Sequence, residues 1–260
     1  MNCGPMSPEK AATSEDAVLG GRLVLRQPLR GHRVGHDAIL LAAATAAQPG
    51  DRAVDLGAGV GGAGLALARR IAGVTVTLVD IDPALTELAA GNAGCNDLFD
   101  RVRAACLDVE ASAADFSAAD LAPESAACVL MNPPFNVAQQ PSPDHARRLA
   151  HAATEGTLQR WLRTAARLLR ADGVVTLIWR ADGLADVLAA LGKDFGAIAV
   201  LPVHPKPGAA AIRVLVRATK GSRAPLALLP GFLLADADGK PTAAAEAVLR
   251  NGEALSLTGN

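Results

Sequence analysis

Asn132-Pro133-Pro134-Phe135 directly follows the apolar run of residues 126–131. Two prolines would end a strand, since each lacks an N–H and fixes φ. That leaves the asparagine and the phenylalanine unexplained. An exocyclic amine on a nucleobase is a poor nucleophile because its lone pair is delocalised into the ring. Two acceptors in rigid geometry, the Asn132 carboxamide oxygen and the Pro133 carbonyl, can take its two N–H bonds and aim the lone pair at an electrophile. Phe135 can stack on a base drawn out of its own stack. Asn132, Pro133 and Phe135 are therefore the candidate catalytic residues, although four residues alone are a weak signal.

A second group lies earlier. Asp55-Leu-Gly-Ala-Gly-Val-Gly-Gly-Ala-Gly64 fits two patterns. Gly57, Gly59 and Gly62 satisfy the dinucleotide fingerprint, with Asp80 for a ribose, which leaves an NAD-dependent dehydrogenase as a rival. Asp55, Gly57, Gly59 and Gly61 instead satisfy D-x-G-x-G-x-G, whose carboxylate can orient an ammonium group directly or through water. Asp80, with Ile81 beside it and Asp82 as an alternate, is placed to accept both ribose hydroxyls, and Asp108 the amino group of an adenine. Each acid alone is more often a helix cap or loop residue. Together with the loop they describe a pocket for an adenosine bearing an amino acid, which is S-adenosylmethionine.

Positioning these groups requires strands that end where they begin. Residues 52–57, 74–80, 101–107, 126–131 and 174–179 read as strands, alternating with helical patterns at 62–71, from Pro83, at 154–171 and at 183–192. The 154–171 segment carries Leu158, Trp161, Leu162, Ala165, Leu168 and Leu169 on one face, with Asp172-Gly173 as its stop. Runs 197–201 and 211–217, joined by Pro-Lys-Pro-Gly, read as an antiparallel pair. The expected fold is α/β: a doubly wound, mostly parallel seven-stranded sheet with an antiparallel final strand. On such a sheet ligands bind at the carboxyl ends of the strands, where every motif above falls.

The chain has 260 residues, 50% hydrophobic and 20% charged, enough for one sizeable core. No apolar run is long enough to span a bilayer, and the polar start lacks a signal segment, so residues 1–18 read as a disordered tail. Four cysteines without C-x-x-C spacing argue for a reduced, cytoplasmic protein without a zinc or other metal site, with Cys106 and Cys128 in strand-like runs where buried thiols are common. Net charge is −1. Two stretches nevertheless lack acids: 21–36, with Arg22, Arg26, Arg30 and Arg33, and 197–235, with Lys206, Arg213, Arg217, Lys220 and Arg223. Flanking one site, they would suit a polyanion such as RNA. Arg160, Arg163, Arg167 and Arg170 form a stripe that reads as a solvated helix face.

The motifs DLGAGVG, VDID and NPPF, in this order and spacing, resemble class I S-adenosylmethionine-dependent methyltransferases of the N-P-P-Y/F amino-methylating type. RLVLRQPLRGHRVGHDAILLAAA and the ending LLADADGKPTAAAEAVLRNGEALSL resemble more closely the bacterial tRNA(Val) adenine-N6 methyltransferase family. The resemblance implies adenine N6 beside the anticodon as target, tRNA as partner, and a core at 49–222. It also implies that segment 19–48 packs over the cofactor through Val34–Leu41, including His36 and Asp37, and that an extension at 223–260 packs on the core. His36 and Phe135 stand where threonine and tyrosine are common. From the residues alone, Asp37 is equally readable as the N-cap of a helix running to Ala46. Guanine-N2 rRNA and protein-glutamine N5 methylation remain alternatives.

Overall fold

The computed structural model describes residues 13–29, 33–134 and 156–257. It opens with a hairpin, β1 (Thr13–Val18) and β2 (Leu23–Pro28), then α1 (His36–Ala44). The main unit continues through β3 (Arg52–Leu56), α2 (Gly62–Arg70), β4 (Thr75–Asp80), α3 (Pro83–Cys95), β5 (Val102–Cys106), α4 (Ala113–Ala118) and β6 (Ala126–Met131). After the undescribed interval come α5 (Thr157–Leu168), β7 (Leu169–Arg180), α6 (Leu184–Leu191), β8 (Phe195–His204) and β9 (Arg213–Lys220). Short β10 (Ala227–Leu228) and β11 (Phe232–Leu233) precede α7 (Ala243–Leu249).

The sheet order is β10-β8-β9-β7-β6-β3-β4-β5, with β11 also on β8. Strands β7, β6, β3, β4 and β5 pair in parallel, and β9 lies antiparallel between β7 and β8. The seven expected strands are present in a doubly wound α/β sheet, and two more of two residues each extend its edge to nine. All six β6 residues are buried, as a central parallel strand covered on both faces requires. Alternation splits them: Cys128 and Leu130 join one core, Val129 and Met131 the other. The Cys128 thiol is pushed up to about 12, by burial first. Cys106, by contrast, is exposed at the end of edge strand β5.

The polar run Thr13–Val18 is not tail but strand, paired in register with β2 from Thr13↔Pro28 to Val18↔Leu23. None of its side chains is fully buried, so it carries no hydrophobic signal. Helix α5 ends at Leu168 rather than at Asp172-Gly173. Leu169, wholly buried, turns extended and pairs with Ala126. A register shift before Cys128, with Asp172 at φ 58, absorbs the extra residues inside β7. Residues 154–155 lie outside the described residues.

Of the described basic-stretch residues, Arg33 lines the same cavity as Asp37, the partner of Arg213, while Arg217, Lys220 and Arg223 lie elsewhere. Glu15 on β1 pairs with Arg26 at 3.0 Å, and Asp16 pairs with Arg33, so the hairpin supplies the acids that its second half lacks. Because β9 runs antiparallel, only its Arg213 end reaches the carboxyl ends of the parallel strands. Arg217, Lys220 and Arg223 lie progressively toward the opposite edge. They donate to the backbone oxygens of Leu257 (2.6 Å), Leu169 (2.6 Å) and Lys193 (3.3 Å). Burial lowers the Arg217 pKa. On α5, Arg160 pairs with Glu110 at 2.7 Å and Arg167 covers the Phe116 ring at 5.0 Å, while Arg163 is exposed. Arg30 lies outside the described residues.

Candidate active site

The loop after β3 is pinned by two backbone bonds: Gly57 and Ala58 donate to the Val79 carbonyl at 2.8 and 2.9 Å. Gly57, Gly59 and Gly61 all have positive φ. At Gly59 (φ 56) a Cβ would meet nothing within 4 Å, so this left-handed turn presents bare backbone to open space. Gly64 serves a different need. Its missing side chain lets α2 approach β4, where a Cβ would stand 2.3 Å from Leu78, and lets the Gly64 N–H donate to Asp55 Oδ2 at 2.8 Å.

Asp55 is 2% exposed and lines the cavity. Burial pushes its carboxyl up to about 7; the Gly64 N–H opposes this and the charge of Asp80 adds to it. Asp80 accepts from the Gly59 N–H at 2.7 Å and from the Asp82 N–H at 3.0 Å. It therefore ties the glycine loop to the end of β4. Asp82 is occupied as the N-cap of α3, accepting from Ala84 (2.8 Å) and Leu85 (3.3 Å), with Pro83 at the first helical position. Asp108 accepts from the Glu110 N–H at 2.8 Å in an exposed turn, and Ile81 is exposed.

A cavity of about 340 Å³ opens between the glycine loop, the start of α1 and the end of β6. That volume is in the lower range for small-ligand sites. It gathers His36, Asp37, Asp55, Gly57, Gly59 and Asn132. Gly61, Asp80, Ile81, Asp108 and Pro133 are not among its lining residues; Pro133 is buried just after Asn132. Phe135 lies outside the described residues. Val34 and Leu85 also line it. Val34 belongs to the segment that the family resemblance places over the cofactor, whereas Leu85, a single aliphatic residue, carries no chemical signature by which the sequence could have disclosed it.

Asp37 is not the helix cap. Helix α1 starts at His36 behind Gly35 and ends at Ala44, and Asp37 instead accepts from Arg213 Nε at 2.8 Å. This ion pair joins the cavity wall to β9. Asn132 follows Met131, the register partner of Leu56, so it stands beside the start of the glycine loop. Its carboxamide oxygen is buried and meets no hydrogen-bond donor among the described residues. A buried acceptor left unmet costs about 1–3 kcal/mol, so it is an oxygen awaiting a donor.

No group of three or more His, Cys, Asp or Glu among the described residues could hold a metal ion, and no described helix is long and apolar enough to cross a membrane.

The chain is similar to a tRNA1(Val) (adenine(37)-N6)-methyltransferase of Porphyromonas gingivalis, 30% identical over 159 residues that cover 60% of this chain and 61% of that enzyme. It is also similar to a release factor glutamine methyltransferase of Chlorobaculum tepidum, 30% identical over 161 residues, covering 59% and 53% of the two chains. Among solved structures, a predicted O-methyltransferase, Atu636 of Agrobacterium tumefaciens, shares 30% identity with a TM-score of 0.73, over 85% of this chain and 98% of that one. The family described as methyltransferase small domain matches residues 32–205, a span that holds the glycine loop, Asp80 and Asn132 together. The chain belongs to that family.

Proposed function

We propose that the protein transfers a methyl group from S-adenosylmethionine to an exocyclic nucleobase amine in RNA, with adenine N6 of tRNA(Val) beside the anticodon as the target. The observation that carries the reading is the buried, unmet carboxamide oxygen of Asn132 at the rim of the glycine-loop cavity. It is an acceptor in the place where an amine must be held. The Pro133 carbonyl is the second acceptor, and Phe135 the stacking partner for the extruded base.

The residues present fit the methyl donor. Gly59 offers bare backbone, Asp55 a buried carboxylate in the cavity wall, and Asp80 an acidic group fixed at the end of β4. S-adenosylmethionine, when bound, supplies an electrophilic methyl group on a sulfonium. This chain's residues do the rest: Asp80, with Ile81, holds the ribose side, Asp108 the adenine side, and Asp55 the amino-acid side. Val34, His36 and Asp37 close the cavity over the donor. No strong general base is needed, because the methylated amine is acidic enough to lose its proton to water.

The RNA substrate rests on the named relatives rather than on charge, since the acid-free stretches are largely paired within the fold. A second reading, methylation of a glutamine side-chain amide in a protein, is favoured by the similarity to the glutamine methyltransferase. Incubation with labelled S-adenosylmethionine and total RNA, followed by nucleoside mass spectrometry, tests both. N6-methyladenosine in tRNA(Val) is the expected product. Label on protein and none on RNA would replace the first reading with the second. A tRNA-modifying role would put the protein in the cytoplasm.

A further inference from the structure

Strand β2 has one edge on β1 and another that no strand among the described residues covers. On that edge stand the side chains of Asn92, on α3, and Asn96, the C-cap of that helix four residues on. Asn96 Oδ1 accepts from the Val24 N–H at 2.9 Å and its Nδ2 donates to the Val24 carbonyl at 2.7 Å. Asn92 repeats this one rung along: Oδ1 accepts from the Arg26 N–H at 2.8 Å, and Nδ2 donates to the Arg26 carbonyl at 3.1 Å. The periods match, since two strand residues advance about 6.6 Å and four helical residues about 6 Å. The two amides thus act as a substitute strand.

They differ in their third bond. Asn96 Nδ2 returns to the Asn92 carbonyl within α3 at 2.7 Å, whereas Asn92 Nδ2 reaches the Val60 carbonyl at 3.0 Å. Val60 lies inside the glycine loop and lines the cavity. Both amides are shut off from solvent, Asn92 at 0% exposure and Asn96 at 5%. On the other wall, Gln27 of the same strand accepts from the Val34 N–H at 2.7 Å, and Val34 packs so tightly on Gly62 that a Cβ there would stand 2.6 Å from it. Strand β2 is therefore tied to both walls of the cavity, and of its two asparagine partners Asn92 carries a hydrogen bond into the loop.

We infer that Asn92 is a positioning residue for the methyl-donor pocket, holding the glycine loop at a fixed distance from the 33–37 wall through its bond to Val60. The inference rests on the donor assignment above. Asn92→Asp keeps the acceptor toward Arg26 but loses both donors; Asn96→Asp makes the matched change on the neighbouring rung, without a link to the loop. Two measurements on the full chain separate the possibilities. In hydrogen–deuterium exchange without ligand, the 57–62 peptide should exchange faster in Asn92→Asp than in Asn96→Asp. In calorimetric titration with S-adenosylhomocysteine, Asn92→Asp should bind about 10-fold more weakly while Asn96→Asp stays within about 2-fold of wild type. With substrate, the KM for the donor should rise and kcat at saturation should not fall. Asn92→Ser carries the same test should the Asp variant fail to fold. Equal effects of the two asparagines, or an unmoved loop, overturn the inference. A wild-type chain that does not bind the probe overturns the donor assignment instead, and the exchange measurement still decides on the brace.

Discussion

Asn132→Ala should remove methyl transfer while leaving donor affinity nearly intact. On the proposed reading the buried Asn132 oxygen is the acceptor for the substrate amine, and loss of a contact made mainly in the transition state commonly costs about 100- to 1000-fold in rate. Single-turnover kinetics beside donor calorimetry measure the two effects separately, and unchanged turnover would end the assignment. Asp55 invites a test by pH. Its carboxyl, raised to about 7 from an ordinary value of about 3.9, is still protonated in the native state at pH values where the unfolded chain has released the proton. The native state then binds more protons, so stability is greatest below pH ~4 as far as this group is concerned and is lost as pH rises through about 7. The slope is up to about 1.4 kcal/mol per unit of pH. Asp55→Asn should flatten that dependence between pH 5 and 8 in urea melts; parallel curves for the two proteins would contradict it.

The elements show which parts of this design can be read from residue order. The βα alternation from Arg52 onward, the antiparallel β8–β9 pair and the glycine loop all have strong local signatures: β-branched runs, Pro83 at a helix start, and glycines at a strand end. The cavity's Asp55, Gly57, Gly59 and Asn132 were legible for the same reason. What escaped depends on distance along the chain. Thr13–Val18 is a strand because β2 pairs with it, and Asn92 and Asn96 matter because residues about 70 positions away need their amides. Leu169 leaves its helix because Ala126 offers a partner. The basic runs lack acids of their own, and only the folded chain brings Glu15, Asp16 and distant carbonyl oxygens to them. Gly64 tests the element contact directly. Gly64→Ala would press a methyl onto Leu78 and crowd Asp55, and overpacking of this kind costs about 1–3 kcal/mol. Chemical denaturation should show it, whereas a wild-type midpoint would mean that α2 can shift away from β4.

At the scale of the whole molecule, a net charge of −1 with most of its arginines tied internally makes a poor electrostatic trap for RNA. Each phosphate contact adds about 0.7 to 0.9 to the salt slope of log affinity. Anisotropy titrations with tRNA should therefore give a shallow slope, on the order of two or three contacts. Replacing Arg217, Lys220 and Arg223 together should leave that slope alone while lowering thermal stability, because these residues hold the Leu257, Leu169 and Lys193 carbonyls at the far edge. A flatter slope in the triple variant would put RNA on that edge after all.

The strand made last among the seven main ones, β9, sits between β7 and β8 rather than at the margin. A growing chain consequently cannot assemble this sheet in the order in which it is synthesised. Until residues 213–220 emerge, β7 has a bare edge of buried-type residues, and β8 has nothing to join it to the sheet. Non-local pairings of this kind are slow to form and expose sticky surface while they wait. Wherever the parallel half folds first, it stays open-sided until one late insertion seals it.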